Sequence, residues 1–307
     1  MTGAARPAAV YVKLALMALC WGGAFIGGRI ATAEIVPQAA ALWRCVIATL
    51  ALLGAAFAFE GGLPRLNPRQ TLGVALMGLT GVLIFNLCFM YGLARVPASR
   101  GALIMALNPA ATLLGAMLFL QERLTRNKVL GILVALSGVA VVLGHGNPAN
   151  LFHGGVGVGE AVLLGGPIAW AAYTLIGKRM LGGLSAIAVS TYGLLIGTAM
   201  LAVVAAVSGH LSPPDASLRA WAAVAFTGLF GTALAFIWFY EGVRTIGPAR
   251  TAVFINLVPV SAIVLGVVLL GEPLEVSMLI GGALVVAGVL LLNRPEPAVP
   301  VAAAAAG

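Results

Sequence analysis

Ten apolar runs of about twenty residues follow one another along this chain of 307 residues, separated only by short connections. A helix needs roughly 20 mainly apolar residues to cross a bilayer. On that template the spans lie at 11–31, 37–59, 70–93, 99–120, 127–144, 157–178, 185–208, 218–240, 249–270 and 275–293. Hydrophobic residues make up 61% of the chain and charged residues only 8%. No water-soluble fold of this length hides that much apolar surface, so the bilayer is the solvent. The expected fold class is all-α integral membrane, with ten transmembrane helices.

The connections carry the remaining information. The longest, around 145–156, has Asn147-Pro148 and a Gly-rich stretch, which is turn chemistry. No soluble domain fits between spans. The tail 294–307 is rich in Pro and Ala and is expected to be disordered and cytoplasmic. With the N-terminus placed in the cytoplasm, the inside segments hold Arg6, Lys13, Arg65, Arg69, Arg123, Arg126, Lys128, Lys178, Arg179, Arg244, Arg250 and Arg294. The outside segments hold only Arg29, Arg95, Arg100 and Arg219. The positive-inside bias therefore puts both termini in the cytoplasm, in a multi-pass protein of the inner (plasma) membrane. The net charge of +8 faces the anionic leaflet; it forms no patch suited to nucleic acid.

The chain also repeats itself at an offset of about 150 residues. Trp21 and Arg29 answer Trp170 and Lys178. Then Arg100, Ala102, Pro109, Glu122, Leu124, Gly131 and Gly138 answer Arg250, Ala252, Pro259, Glu272, Leu274, Gly281 and Gly288 in order. The repeat unit is five spans, giving a first copy at 1–150 and a second at 151–293. Five is odd, so the second copy enters the membrane the opposite way up. Inverted five-helix repeats are an architecture of alternating-access transporters, with the substrate held between the copies. The competing reading is a non-transporting membrane scaffold or lipid-interacting protein in which the repeat merely packs.

The motifs Trp21-Gly22-x-x-Phe25, Pro37 through Arg44, Tyr91-Gly92-Leu93, Pro109 with Gln121-Glu122-Arg123-Leu124, and Pro259 with Gly271-Glu272-Pro273-Leu274 stand in a fixed order. On these residues the chain resembles the ten-helix EamA-type members of the drug/metabolite transporter superfamily, including YddG-like amino-acid and metabolite exporters. That resemblance implies secondary transport of a small molecule such as an amino acid, aromatic or otherwise hydrophobic. It also implies a central cavity lined from the first, third, fourth, sixth, eighth and ninth spans. No cofactor is expected. The partners are the substrate and the lipid bilayer, and the protein works as a monomer or homodimer.

Several residues are candidates to line that cavity. Arg44, two turns into the second span, either binds a substrate carboxylate or snorkels to the outer headgroups. Trp21 and Trp170 lie near span centres, too deep to serve as interfacial anchors. Phe25, Phe85 and Tyr173 join them as aromatic candidates. Pro109 and Pro259 each remove an amide donor within a span, freeing the carbonyls of Met105 and Ile255. They read as a pair of hinges or as plain packing kinks, and the neighbouring amides Asn108 and Asn256 are candidates to line the same space. Glu122 and Glu272 are expected to help start the next helix or to pair with a basic residue.

Enzymatic chemistry finds no parts here. His145, His153 and His210 fall in predicted outer loops, and no metalloprotease motif or phosphate-binding loop occurs. Cys20, Cys45 and Cys88 lie inside apolar runs and read as packing residues.

Overall fold

The structure, a computed structural model, describes residues 7–120, 125–151, 156–180, 183–246, 251, 254–255 and 257–292. Ten helical spans follow in chain order: α1 (Pro7–Glu34), α2 (Pro37–Glu60), α3 (Pro68–Leu93), α4 (Ala98–Met105 and Asn108–Leu120), α5 (Arg126–Leu143), α6 (Val158–Met180), α7 (Ala186–Val207), α8 (Leu218–Ile246 in three segments), α9 (Leu257–Leu270) and α10 (Val276–Leu292). The all-helical, ten-span architecture expected from hydropathy is what the chain forms. Asn256, Glu122 and the tail 294–307 lie outside the described residues.

Local chemistry fixes the helix ends. Pro37 and Pro68 sit in the first turns of α2 and α3, where a missing amide costs nothing. Asn67 and Gln70 form a reciprocal capping box at the start of α3, with bonds of 2.8 and 2.9 Å. Ser185 and Ser217 cap α7 and α8 by accepting from the amides of Ala188 and Ala220. Gly61 closes α2 at φ 72°, a left-handed conformation natural to glycine. Large apolar side chains such as Phe59 and Leu118 face outward, 75% and 78% exposed, as a lipid-facing surface requires.

Two spans are wider than an α-helix in one stretch. Gly78–Ile84 in α3 and Leu229–Leu234 in α8 are π-helical. They occupy equivalent places in the two copies, and Gly78-Leu79-x-Gly81 recurs as Gly228-Leu229-x-Gly231 at an offset of 150. Span α4 is interrupted at Ala106–Leu107. Pro109 is therefore the second residue of a fresh helical segment, in its first turn, where the local backbone accommodates it without a lost helical bond. Pro259 lies in α9, with Phe254 and Ile255 before it also helical.

The copies meet through equivalent helices. Along α2 and α7, Ser185 Oγ donates to Glu60 at 2.7 Å, the Thr49 and Thr198 hydroxyls meet at 2.9 Å, and Gln38 Nε2 donates to His210 Nδ1 at 3.2 Å. Start meets end, so the pair is antiparallel. Thr49 and Thr198 are counterparts at the offset of Trp21 and Trp170, so a residue here touches its own copy. The α5–α10 pair behaves alike: a Cβ at Gly138 would lie 2.6 Å from the Gly281 oxygen, and one at Gly288 would lie 2.7 Å from the Gly131 oxygen. The two five-helix halves are thus inverted about a pseudo-two-fold axis.

Polar contacts tie the bundle at both faces. At the α1 start, Lys13 Nζ donates to both Glu241 oxygens at 2.6 and 2.8 Å. At the opposite face, buried Arg100 pairs with Glu160 at 3.4 Å, donates to the Leu143 carbonyl at 2.8 Å and meets His145 Nε2. His145 Nδ1 in turn lies 2.9 Å from Glu275. Burial pushes the Glu275 carboxyl up, but hydrogen bonds from His145 and Ser277, with the charges of His145 and Arg100, leave it below its ordinary value. Glu272 accepts from the amides of Ala98 at 2.7 Å and Ser99 at 3.0 Å, and from the Ser99 hydroxyl. It does start a helix, but that helix is α4 of the other copy, not the following α10.

The α5–α10 crossing leaves no room for a side chain. Gly138→Val is expected to cost about 1–3 kcal/mol by overpacking, read as a lowered thermal unfolding midpoint in detergent. Gly54→Ala, where nothing lies within 4 Å, leaves the midpoint unchanged or raises it.

Candidate functional site

The only charge among residues lining the central cavity is Arg44 on α2, 7% exposed. Its Nε and Nη2 both donate to Thr232 Oγ1, at 3.3 and 3.0 Å. Thr232 lies in the π-helical stretch of α8, and its own hydroxyl donates to the Thr227 carbonyl at 3.0 Å, five residues back. That bond fixes the hydroxyl so that its lone pairs face the guanidinium. The Phe89 ring lies beneath, with Arg44 Cζ 5.2 Å from its centroid. Arg44 Nη1 has no partner. Among the described residues no carboxylate pairs with this cation. Buried at 7% exposure, Arg44 does not snorkel.

The cavity beside Arg44 is walled from α2, α3, α6, α7 and α8. Phe85 and Trp170 lie 5.2 Å apart, Trp170 and Tyr173 5.2 Å, and Trp170 stacks on Phe236 at 6.0 Å. Gly81 makes this possible: a Cβ there would fall 2.1 Å from Tyr173 Cδ2. Polar groups enter at Asn86, Ser190 and Thr232. The space left for the centres of water-sized molecules is about 40 Å³, enough for a few waters.

Of the residues singled out from sequence, Arg44, Phe85, Trp170 and Tyr173 come together on this cavity. Trp21 does not line it; it packs on Phe236 and Phe239 at 6.0 and 5.8 Å, one ring behind the wall. Phe25 is buried against Phe89 at 5.1 Å, below the arginine. Asn108 stands at the α4 break, away from the cavity, with a buried Oδ1 that has no partner. Pro109 and Pro259 are likewise outside the lining. Spans α1, α4 and α9, which the resemblance placed around the cavity, contribute none of its described lining residues, while α2 and α7 do. Contacts of α1 with α9 and of α4 with α9 occupy those helices instead.

Sequence reasoning missed Asn86, Ser190, Thr232 and Phe236. A signal existed for two of them. The duplicated Gly-Leu-x-Gly element marks both π-helical stretches, and Asn86 and Thr232 are the polar residues within or just after them. Such widened turns occur often at functional sites.

Comparison with known proteins agrees with the fold. The model of the EamA-like transporter family matches residues 9–144 and again 157–294. The transporter YyaM of Bacillus subtilis, itself uncharacterized, is 29% identical over 92% of this chain and 92% of its own. A protein of Streptantibioticus cattleyicolor named "Probable terminal-alkyne amino-acid exporter" is 31% identical over 92% of each chain. One solved crystal structure shares the fold, with a TM-score of 0.62 at 19% identity, covering 93% of this chain and 96% of that one. The chain belongs to the EamA-like transporter family.

Proposed function

We propose that this transporter exports amino acids across the inner membrane by alternating access, with both termini in the cytoplasm. The observation that carries the reading is the free Nη1 of Arg44 in a closed, aromatic-walled cavity. An uncompensated buried cation costs several kcal/mol, and a packing scaffold has no use for one. A substrate carboxylate supplies the missing charge and accepts from Nη1 in a geometry suited to guanidinium. Phe85, Trp170, Tyr173 and Phe236 then surround an uncharged, preferably hydrophobic side chain. The amino-acid exporter among the relatives supports the same substrate class.

In this reading the polar ties at the two ends of the bundle, Lys13 with Glu241 and Arg100 with Glu160, part alternately to admit and release substrate. The two halves, 1–150 and 151–293, supply equivalent helices for the two openings, which is the energetic use of inverted symmetry. Bending is assigned to Pro109, beside the break in α4, and to Pro259 within α9, where proline removes an amide donor. The unit of transport is a monomer, alone or within a homodimer, and needs no cofactor.

Proteoliposomes loaded with the twenty common amino acids are expected to release neutral hydrophobic ones in a protein-dependent way, followed by mass spectrometry of the medium. Arg44→Gln should slow that release about tenfold or more, the worth of a hydrogen bond to a charged group, while circular dichroism and elution profile stay native. Absence of release for every amino acid would overturn the proposal. The support of Arg44 is testable through stability. Thr232→Val should cost about 1–3 kcal/mol by leaving the cation without an acceptor, seen as a lower unfolding midpoint in detergent. Combining it with Arg44→Met should recover most of that loss; an equal loss in the double variant would show that the two residues are not coupled.

A further inference from the structure

The cavity holds unpaired acceptors as well as an unpaired donor. Asn86, 5% exposed, sits just after the π-helical stretch of α3 and donates Nδ2 to the Val82 carbonyl at 2.8 Å. A carbonyl can only accept, so that bond settles which end of the amide faces it. Asn86 Oδ1 is left over as an acceptor, buried and without a partner. Ser190 Oγ on α7, in a residue 6% exposed, is unpaired on the same cavity. Buried polar groups in native proteins nearly always find partners. Here three groups from three helices, one cationic donor and two neutral acceptors, are unmet around one space.

A bare carboxylate accepts from the arginine and can accept from the Ser190 hydroxyl, but it offers Asn86 Oδ1 no donor. It leaves Asn86 Oδ1 facing an apolar or anionic ligand with nothing to accept. A molecule that carries an ammonium group next to its carboxylate satisfies both ends. We infer that Asn86, assisted by Ser190, receives the substrate's α-ammonium group and makes this carrier select α-amino acids over the matching carboxylates that lack the amine. This rests on the reading of Arg44 as the carboxylate site. Asn86 and Ser190 are then specificity-determining residues. The counterpart of Asn86 in the second copy is Phe236, at an offset of 150, so the second copy supplies no equivalent amide at the amine end.

The test is counterflow of tritiated L-phenylalanine, and in parallel L-leucine, into proteoliposomes of the full-length protein. Competitors are the unlabelled amino acid and its des-amino analogue, 3-phenylpropanoate or 4-methylpentanoate. In the wild type the analogue is expected to compete at least about tenfold more weakly, because it leaves a buried acceptor unpaired. Asn86→Leu should shrink that ratio to about threefold or less by weakening the amino acid, not by improving the analogue. Asn86→Asp, which keeps the acceptor and adds charge, should hold or widen it. Ser190→Ala, a deletion of one hydroxyl, should narrow the ratio by a few-fold and gives the answer where Asn86→Leu does not fold. A merely structural role would slow uptake of both labels and leave the ratio unmoved. Equal competition in the wild type, or an unchanged ratio in the foldable variants, overturns the inference while leaving Arg44's assignment standing. Failure of both labelled amino acids to enter overturns the amino-acid reading itself, and this inference with it.

Discussion

The packing of α5 on α10 and of α2 on α7, each against its own counterpart, is the constraint from which the remaining architecture follows. Where α5 crosses α10, glycine backbones on one helix touch the carbonyls of the other, and no side chain intervenes. Where α2 meets α7, Thr49 bonds to the residue that answers it in the second copy. A residue meets its own equivalent on a two-fold axis, and the start-to-end contacts of α2 with α7 set that axis across the helices, so the pair is antiparallel. Close backbone approach through small residues is how helices associate in lipid, where burying apolar surface gives no net gain. Once these two seams are fixed, the other helices are distributed around them and a central space is left beside the axis.

The scaffold is symmetric, but the chemistry inside it is not. Arg44 answers Gly193, and Asn86 answers Phe236, at the offsets that relate the copies. Gly193 serves packing: a Cβ at Gly78 of α3 would lie 3.0 Å from its carbonyl oxygen. The equivalent approach in the other half brings Gly228 of α8 against the Arg44 carbonyl, where a Cβ would lie 2.7 Å away. The backbone contact is thus retained in both halves, while the side chain at that position is free to differ. Divergence of side chains over a retained backbone seam produces a cavity with one charged corner and one aromatic corner.

How much of this was legible in the sequence depends on the kind of force involved. Span positions were, because hydrophobic length is a one-dimensional property: 37–59 against Pro37–Glu60, and 185–208 against Ala186–Val207. The inversion was legible too, since an odd span count in the repeat dictates it. Which face of a helix points inward was not. Trp21 and Trp170 are counterparts, yet only Trp170 reaches the cavity, and Trp21 stops behind Phe236. In an apolar helix surrounded by lipid and by other apolar helices, periodicity carries little facing information. The π-helical stretches add a rotation that no composition signal reports, and Asn86 and Thr232 owe their positions to it. The break in α4 was foreshadowed by Pro109, although it falls two residues earlier than the proline itself.

The carboxylate of Glu272 gives one end of the bundle a particular mechanical character. It belongs to the end of α9, but the amides it satisfies are the first ones of α4. A lid held by side-chain contacts alone can slide, exchanging one partner for another. A lid whose latch is the terminal cap of a helix cannot, because leaving exposes backbone donors that no neighbouring turn can accept. Any motion that draws α9 from α4 at that end must fray α4 or carry it along. The two helices are therefore coupled at a helix terminus, through backbone donors, and not through any residue that lines the cavity.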